Sequence, residues 1–227
     1  VTLPLTYAKV PQHAGIDLRC CSCTEVDWAG LYADLVIADP PWMYSQKPGE
    51  GVHPEEHYAC LTIEDIAAHM AEASKAAPLM ALWLTWPLLG EWLAAWKKAP
   101  TTGGAWTKSG PGDTGHFGPG YWWAGCSEPV LLYSWGGGAR DLDEPLRNAW
   151  IEAPGVHSRK PAAWMAQWIR RWVPPGGLVA DPYAGLGSVA EAVLLAGEGR
   201  RYLGTEIDPG RHADALGLLA QVRGGGK

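Results

Sequence analysis

The sequence predicts an α/β fold, a mostly parallel sheet of seven strands with helices on both faces. Short apolar runs at 34–38 and 178–180, each bounded by turn formers, have the length and composition of fully buried strands. Helical segments alternate with runs of this kind along the chain. The strand at 178–180 also passes through a Gly-x-Gly turn straight into a helix, an arrangement that lets backbone approach a ligand closely.

At 227 residues the chain suffices for a single domain, and 47% hydrophobic against 19% charged residues describes a globular one. The 14 Trp against one Phe fill the core, with an exposed subset left as stacking surfaces. A net charge of −6 gives no overall attraction to a polyanion, so a nucleic-acid partner needs a local basic strip. Its candidates are Arg140, Arg147, Arg159, Lys160, Arg170, Arg171, Arg200 and Arg201. Cys20, Cys21 and Cys23 lack the spacing of paired zinc ligands, and the cysteine count of five is odd. Reduced thiols in a cytoplasmic protein are therefore expected, with no metal. No apolar run approaches the length of a membrane span.

In chain order, 16–21 reads as an edge strand, 34–38 as the central strand, and 43–57 as a Gly/Pro-rich loop too long for a simple connection. Thr62, with Asp65 three residues on, starts a helix running to about Ala77. Strands follow at 79–84, 105–108 and 129–133, with a helix at 88–97 and two irregular Gly/Trp-rich segments at 100–125 and 135–153. Pro161 opens a helix to about Val173 with its ring in the first turn. The chain then forms strand 178–180, helix 189–195 and strand 201–204.

Asp39-Pro40-Pro41-Trp42 leaves the central strand at the edge where open α/β sheets place their ligands. Neither proline has an N–H and both fix φ, so the turn is stiff and its carbonyls are expected to stay free as acceptors. A carboxylate and a carbonyl accepting the two N–H bonds of an exocyclic amine would localise its lone pair on nitrogen, and the ring could stack on the base. Asp-Pro is also an ordinary way to end a strand.

The second motif runs Asp181-Pro182-Tyr183-Ala184-Gly185-Leu186-Gly187-Ser188, with Glu206 and Ile207 ending the next strand. Glu206 lies at the offset where an acidic residue meets a nucleoside ribose, and Ile207 is placed to pack on its base. A third glycine is missing and Ser188 follows directly, so there is little provision for a pyrophosphate. S-adenosyl-L-methionine (SAM) is favoured over NAD. Lys160, in His157-Ser158-Arg159-Lys160-Pro161, is placed to neutralise the SAM carboxylate; basic residues ahead of a helix otherwise oppose its dipole.

Taken together, Asp39-Pro40-Pro41-Trp42 and His157 to Pro161 resemble the SAM-dependent adenine-N6 methyltransferases that include the eukaryotic mRNA enzymes and many bacterial and phage relatives. Supporting matches are His57-Tyr58 before Leu61-Thr62, Leu82 to Thr85, and Gly120-Tyr121-Trp122 leading to Ser127-Glu128-Pro129-Val130. The segment Asp181 to Ser188 with Glu206 looks more like the β-class DNA amino-methyltransferases, which also place the catalytic motif first. The resemblance implies a Rossmann-like class I methyltransferase of permuted motif order. One domain over 1–227 is expected, its catalytic half at 16–135 and its cofactor half at 156–222.

By resemblance, Asp39 and Pro40 bind the target amine, with Pro41 and Trp42 completing the motif and Trp42 against the base. Lys160 would take the SAM carboxylate, Asp181, Pro182, Tyr183, Gly185, Gly187 and Ser188 the methionine half, and Glu206 with Ile207 the nucleoside. Tyr44, His57, Tyr58, Tyr121, Trp122, His157 and Arg159 are the candidate substrate contacts, mostly on the loops 43–57, 100–125 and 135–155. The expected partner is a nucleic acid, DNA or RNA; a homodimer is allowed, and no membrane or metal is expected. The β-class DNA enzymes usually have Tyr where Trp42 stands and a longer recognition segment, which leaves DNA and RNA both open. Methylation of cytosine N4, or of a protein or small molecule, and a non-catalytic SAM- or nucleic-acid-binding subunit are the alternatives.

Overall fold

The computed structural model describes residues 15–43, 60–108, 126–136, 146–153 and 159–224. Its strands are β1 (Ile16–Cys20), β2 (Leu35–Ala38), β3 (Leu79–Trp83), β4 (Thr102–Thr107), β5 (Ser127–Ser134), β6 (Ala149–Ile151), β7 (Leu178–Asp181) and β8 (Arg201–Glu206). The helices are α1 (Ile63–Ala73), α2 (Leu89–Trp96), α3 (Ala162–Trp172), α4 (Ser188–Ala196) and α5 (Pro209–Gly224). They surround one sheet of order β1-β8-β7-β2-β3-β5-β4-β6.

The side chains of β2 explain its central place. Leu35 and Ile37 enter a core with α3 and α4, while Val36 and Ala38 enter a second core with α1 and α2. Every residue of this strand is inaccessible to solvent, which is why it reads as an unbroken apolar run. β3 divides its residues the same way, Leu79, Ala81 and Trp83 to one face and Met80 and Leu82 to the other. Among the described tryptophans most are core, with Trp83, Trp92, Trp106 and Trp164 fully buried. Burying a large apolar side chain contributes about 1.5–3 kcal/mol, so these rings are a principal source of stability.

Thr62 caps α1, its hydroxyl accepting from the Asp65 N–H and donating to the Asp65 carboxylate. Pro161 stands at the N-cap of α3, one position before the first turn expected for it.

Two expectations need correction. Among the described residues the sheet has eight strands, not seven, because Ala149–Ile151 within the segment read as irregular pairs in parallel with β4. Three residues, none buried, carry too little pattern to announce a strand. Helix α5 was likewise unforeseen: Ala215 and Leu219 are its buried apolar contacts, His212 is buried against the Leu18 carbonyl, and its other residues lack a continuous apolar stripe.

The topology also sets the functional edge. β1, β8, β7, β2 and β3 run parallel, so their C-terminal ends share one rim. β5 is antiparallel to β3, which brings its first residues, Ser127 and Glu128, to that rim. The antiparallel register of β4 on β5 returns Lys108 to the same place.

Candidate active site

Asp39 follows β2 and Pro182 follows β7, and these two strands are hydrogen-bonded neighbours. Both motifs therefore open onto one cleft of about 720 Å³. Its walls include Asp39 to Trp42 on one side and Pro182 to Leu186, Ser188, Glu206 and Ile207 on the other. Lys160, Arg159 and Glu128 also line it. Asp181 and Gly187 are not among the wall residues.

The turn after β2 is more internally bonded than its prolines suggested. The Pro40 carbonyl accepts from the Trp42 N–H at 2.9 Å, and the Pro41 carbonyl accepts from the Leu61 N–H at 2.8 Å. The expectation of free carbonyls is thus corrected: the chain folds back to use them, although each oxygen keeps a second lone pair. Trp42 is likewise no open stacking platform. It is 3% exposed, donates its indole N–H to the Trp83 carbonyl, and meets Trp92 edge-on at 5.6 Å.

Lys160 lines the cleft with its charge already engaged by two carboxylates. Its ammonium lies 2.8 Å from Asp39 Oδ2 and 3.1 Å from Glu128 Oε2, on the Asp39 side of the cleft. Lys108 pairs with the other oxygen of Glu128. Burial pushes the Asp39 carboxyl above the usual carboxylate range, and Lys160 offsets only part of that. Burial acts on Glu128 in the same direction, but the two lysines outweigh it and hold Glu128 below its ordinary value. Lys160 is kept firmly protonated, since its two carboxylates outweigh its burial.

On the opposite wall, Gly185 and Gly187 both have positive φ, 52° and 79°. A Cβ at Gly185 would meet nothing within 4 Å, whereas one at Gly187 would touch Ala215 and Leu219 of α5. Gly185 thus leaves room at the surface and Gly187 packs inward, while the strain of positive φ favours glycine at both. Glu206 accepts from the Gly185 N–H at 2.9 Å and from the Asp208 N–H at 2.9 Å, clamping the turn to the end of β8. Ile207 is 69% exposed, an apolar surface on the cleft wall. Tyr183 hydrogen-bonds His69 at 2.8 Å, and His69 lies 3.4 Å from the Cys23 sulfur; this cluster on the cleft wall was not foreseen.

Asp181 is structural in its contacts. Fully buried, it accepts from the Tyr202 hydroxyl at 2.9 Å and the Tyr183 N–H at 3.1 Å, and burial raises its pKa to about 7. A carboxyl raised from its unfolded value of about 3.9 gives stability that is full below that value and lost as pH climbs toward 7. Asp181→Asn, a mimic of the neutral acid, should therefore flatten that decline. In calorimetry from pH 4 to pH 7, the melting temperature of the wild type relative to the variant should fall as pH rises; an unchanged difference would contradict the assignment.

The expected basic strip is largely used internally. Arg200 is buried on the carbonyls of Val173, Ala196 and Gly197, Arg170 binds the Leu195 carbonyl, and Arg201 binds that of Gly176. Arg159 lines the cleft but pairs with Glu191 at 2.6 Å. Tyr44, His57, Tyr58, Tyr121, Trp122, Arg140 and His157 lie outside the described residues. Among the described residues no cluster of three metal-ligating side chains occurs, and no helix is long and apolar enough to cross a membrane. Residues missed in the sequence are Lys108 and Glu128, charges bounding apolar strands, and Trp86, half-exposed just after Thr85 at the cleft edge.

The fold is that of known DNA methyltransferase structures. Residues 139–216 match the N6/N4 family model described as DNA methylase. The M1.HpyAVI–SAM complex aligns at TM-score 0.62 and 16% identity, over 90% of this chain and 99% of that one. A candidate DNA modification methylase of Thermus thermophilus, TTHA0409 complexed with SAM, aligns at TM-score 0.65 and 20% identity, over 92% and 95%. The cytosine-N4-specific PvuII DNA methyltransferase aligns at TM-score 0.64 and 14% identity, over 89% and 85%. No curated protein matches the sequence.

Proposed function

We propose that the chain is a SAM-dependent methyltransferase acting on the N6 amine of adenine in nucleic acid, DNA in preference to RNA. The observation carrying this reading is that Asp39 and the Gly185 turn face one cleft, with Glu206 and Ile207 at its far end. The cleft has the volume of a small-molecule site. Its cofactor end fits a nucleoside with a short zwitterionic tail: Glu206 for ribose hydroxyls, Ile207 for the base, and open space above Gly185. The start of α4, beside Ser188 on the wall, has no side-chain cap and favours a carboxylate through its N–H groups. That end replaces Lys160 as the seat of the tail.

SAM supplies an electrophilic methyl group when bound. Asp39 accepts one N–H of the acceptor amine, and the remaining lone pair of the Pro40 carbonyl is placed for the other. The carboxylate does not deprotonate a neutral amine; it orients the lone pair and favours the positive charge that develops on nitrogen, which sheds its proton to solvent once it has become cationic and acidic. The buried wall around Trp42 and Trp83 keeps this geometry rigid. A duplex target must have its base flipped out of the stack to arrive there. Trp86, half-exposed with its N–H on Ser127, is the described side chain best placed to stack on a flanking base. Trp86→Ala should weaken nucleic-acid binding about tenfold, measured by fluorescence anisotropy, and leave SAM affinity unchanged.

The second reading is cytosine N4, the target of the PvuII enzyme, which shares this fold. Asp39 favours adenine, because by resemblance the cytosine enzymes usually begin the motif with Ser. Mass spectrometry of nucleosides from DNA and RNA of cells expressing the chain separates the readings. N6-methyladenine in DNA is expected; N4-methylcytosine, or no methylated base, would displace the proposal.

A further inference from the structure

We propose that Glu128 is a positioning residue: through Lys160 it fixes which oxygen of the Asp39 carboxylate remains open to the acceptor amine. The inference rests on the reading of Asp39 given above. Glu128 is 14% exposed at the rim end of β5, where a carboxylate is costly unless fully paired. Neighbouring backbone pairing does not require a charge there. Each of its oxygens has its own ammonium, Lys108 from the end of β4 on one and Lys160 from just before α3 on the other. Lys160 then reaches Asp39 Oδ2, so four charges alternate in sign and sum to zero from the end of β4 to the cleft wall.

Lys160 is held on three sides. Besides the two carboxylates, its ammonium lies 5.5 Å from the centroid of the Trp83 ring, which is wholly buried. Among the described residues, Asp39 Oδ1 has no ion-pair partner, and this is the oxygen left for the amine. Without Glu128, Lys108 and Lys160 would repel each other and Lys160 would be drawn wholly onto Asp39. The carboxylate would then be turned and more strongly neutralised, and its lone pairs would be poorer acceptors for the substrate.

Glu128→Gln is expected to lower kcat for methyl transfer about 10- to 100-fold while the KM for SAM stays within a few-fold. The more decisive readout is the carboxyl 13C titration of Asp39 in the ligand-free chain. The charged groups acting on Asp39 are Lys160, Glu128 and Lys108, with Asp181 close by. Removing the like charge of Glu128 should move the Asp39 midpoint to lower pH. Lys108→Met should move it to higher pH, because an unshared Glu128 draws Lys160 away. This second variant decides the matter if Glu128→Gln does not fold.

Opposite shifts support the proposal. An unmoved Asp39 titration in both variants, with only a lowered melting temperature, would make Glu128 merely structural and overturn it. The titration needs neither acceptor nor cofactor. A wild-type chain that transfers no methyl group would therefore sink the functional reading and leave this test standing.

Discussion

Asp39→Ala is expected to lose methyl transfer by about 10²- to 10³-fold or more in kcat, the scale for removing a group that stabilises developing charge. SAM affinity should stay within a few-fold. The wall proposed for the cofactor is built from the turn after β7 and the end of β8, and Asp39 belongs to neither. Lys160 also retains Glu128 as a partner after the change, so no buried ammonium is orphaned. Calorimetry beside a tritium-transfer assay reads both quantities. Full residual activity would remove Asp39 from the reaction, and a parallel collapse of SAM binding would mean that it supports the wall instead.

Glu206→Gln should have the mirror effect. A hydrogen bond to a charged group contributes about 1.5–3 kcal/mol, so SAM affinity should fall about 10- to 150-fold. The amide oxygen can still accept from one of the two backbone N–H groups, Gly185 or Asp208, that the carboxylate now serves. The turn should therefore persist and the loss should appear mainly in KM. At saturating SAM, kcat should recover to within a few-fold of wild type. A kcat loss that saturation does not repair would place Glu206 in the chemistry and contradict its assignment to the ribose.

The legible parts of the chain are those where local pattern and tertiary role coincide. β2 is apolar at every position because it is covered on both faces, and α1 begins where Thr62 and Asp65 form their reciprocal cap. The Gly185 and Gly187 turn declared itself because backbone of positive φ selects glycine. Elsewhere the determining contacts are distant in sequence. Lys108 and Glu128 meet through the antiparallel register of β4 and β5, and Lys160 joins them from the segment before α3, which no spacing in the chain announces. Trp42 read as a stacking ring because its burial depends on Trp83 and Trp92, 41 and more residues away. Asp181 read as a ligand residue because the signature around it marks the turn, whereas its own carboxylate is consumed by Tyr202 on the adjoining strand.

The most direct measurement is a crystal structure of the chain with S-adenosylhomocysteine and deoxyadenosine monophosphate. The account predicts cofactor ribose at Glu206, its sulfur facing Asp39, and the adenine amine within about 3 Å of Asp39 Oδ1 and about 3–3.5 Å of the transferring methyl position. A cofactor seated instead in the adjoining cavity bounded by Ala162, Glu191, Leu195 and Asp214, or an adenine amine turned away from Asp39, would contradict it.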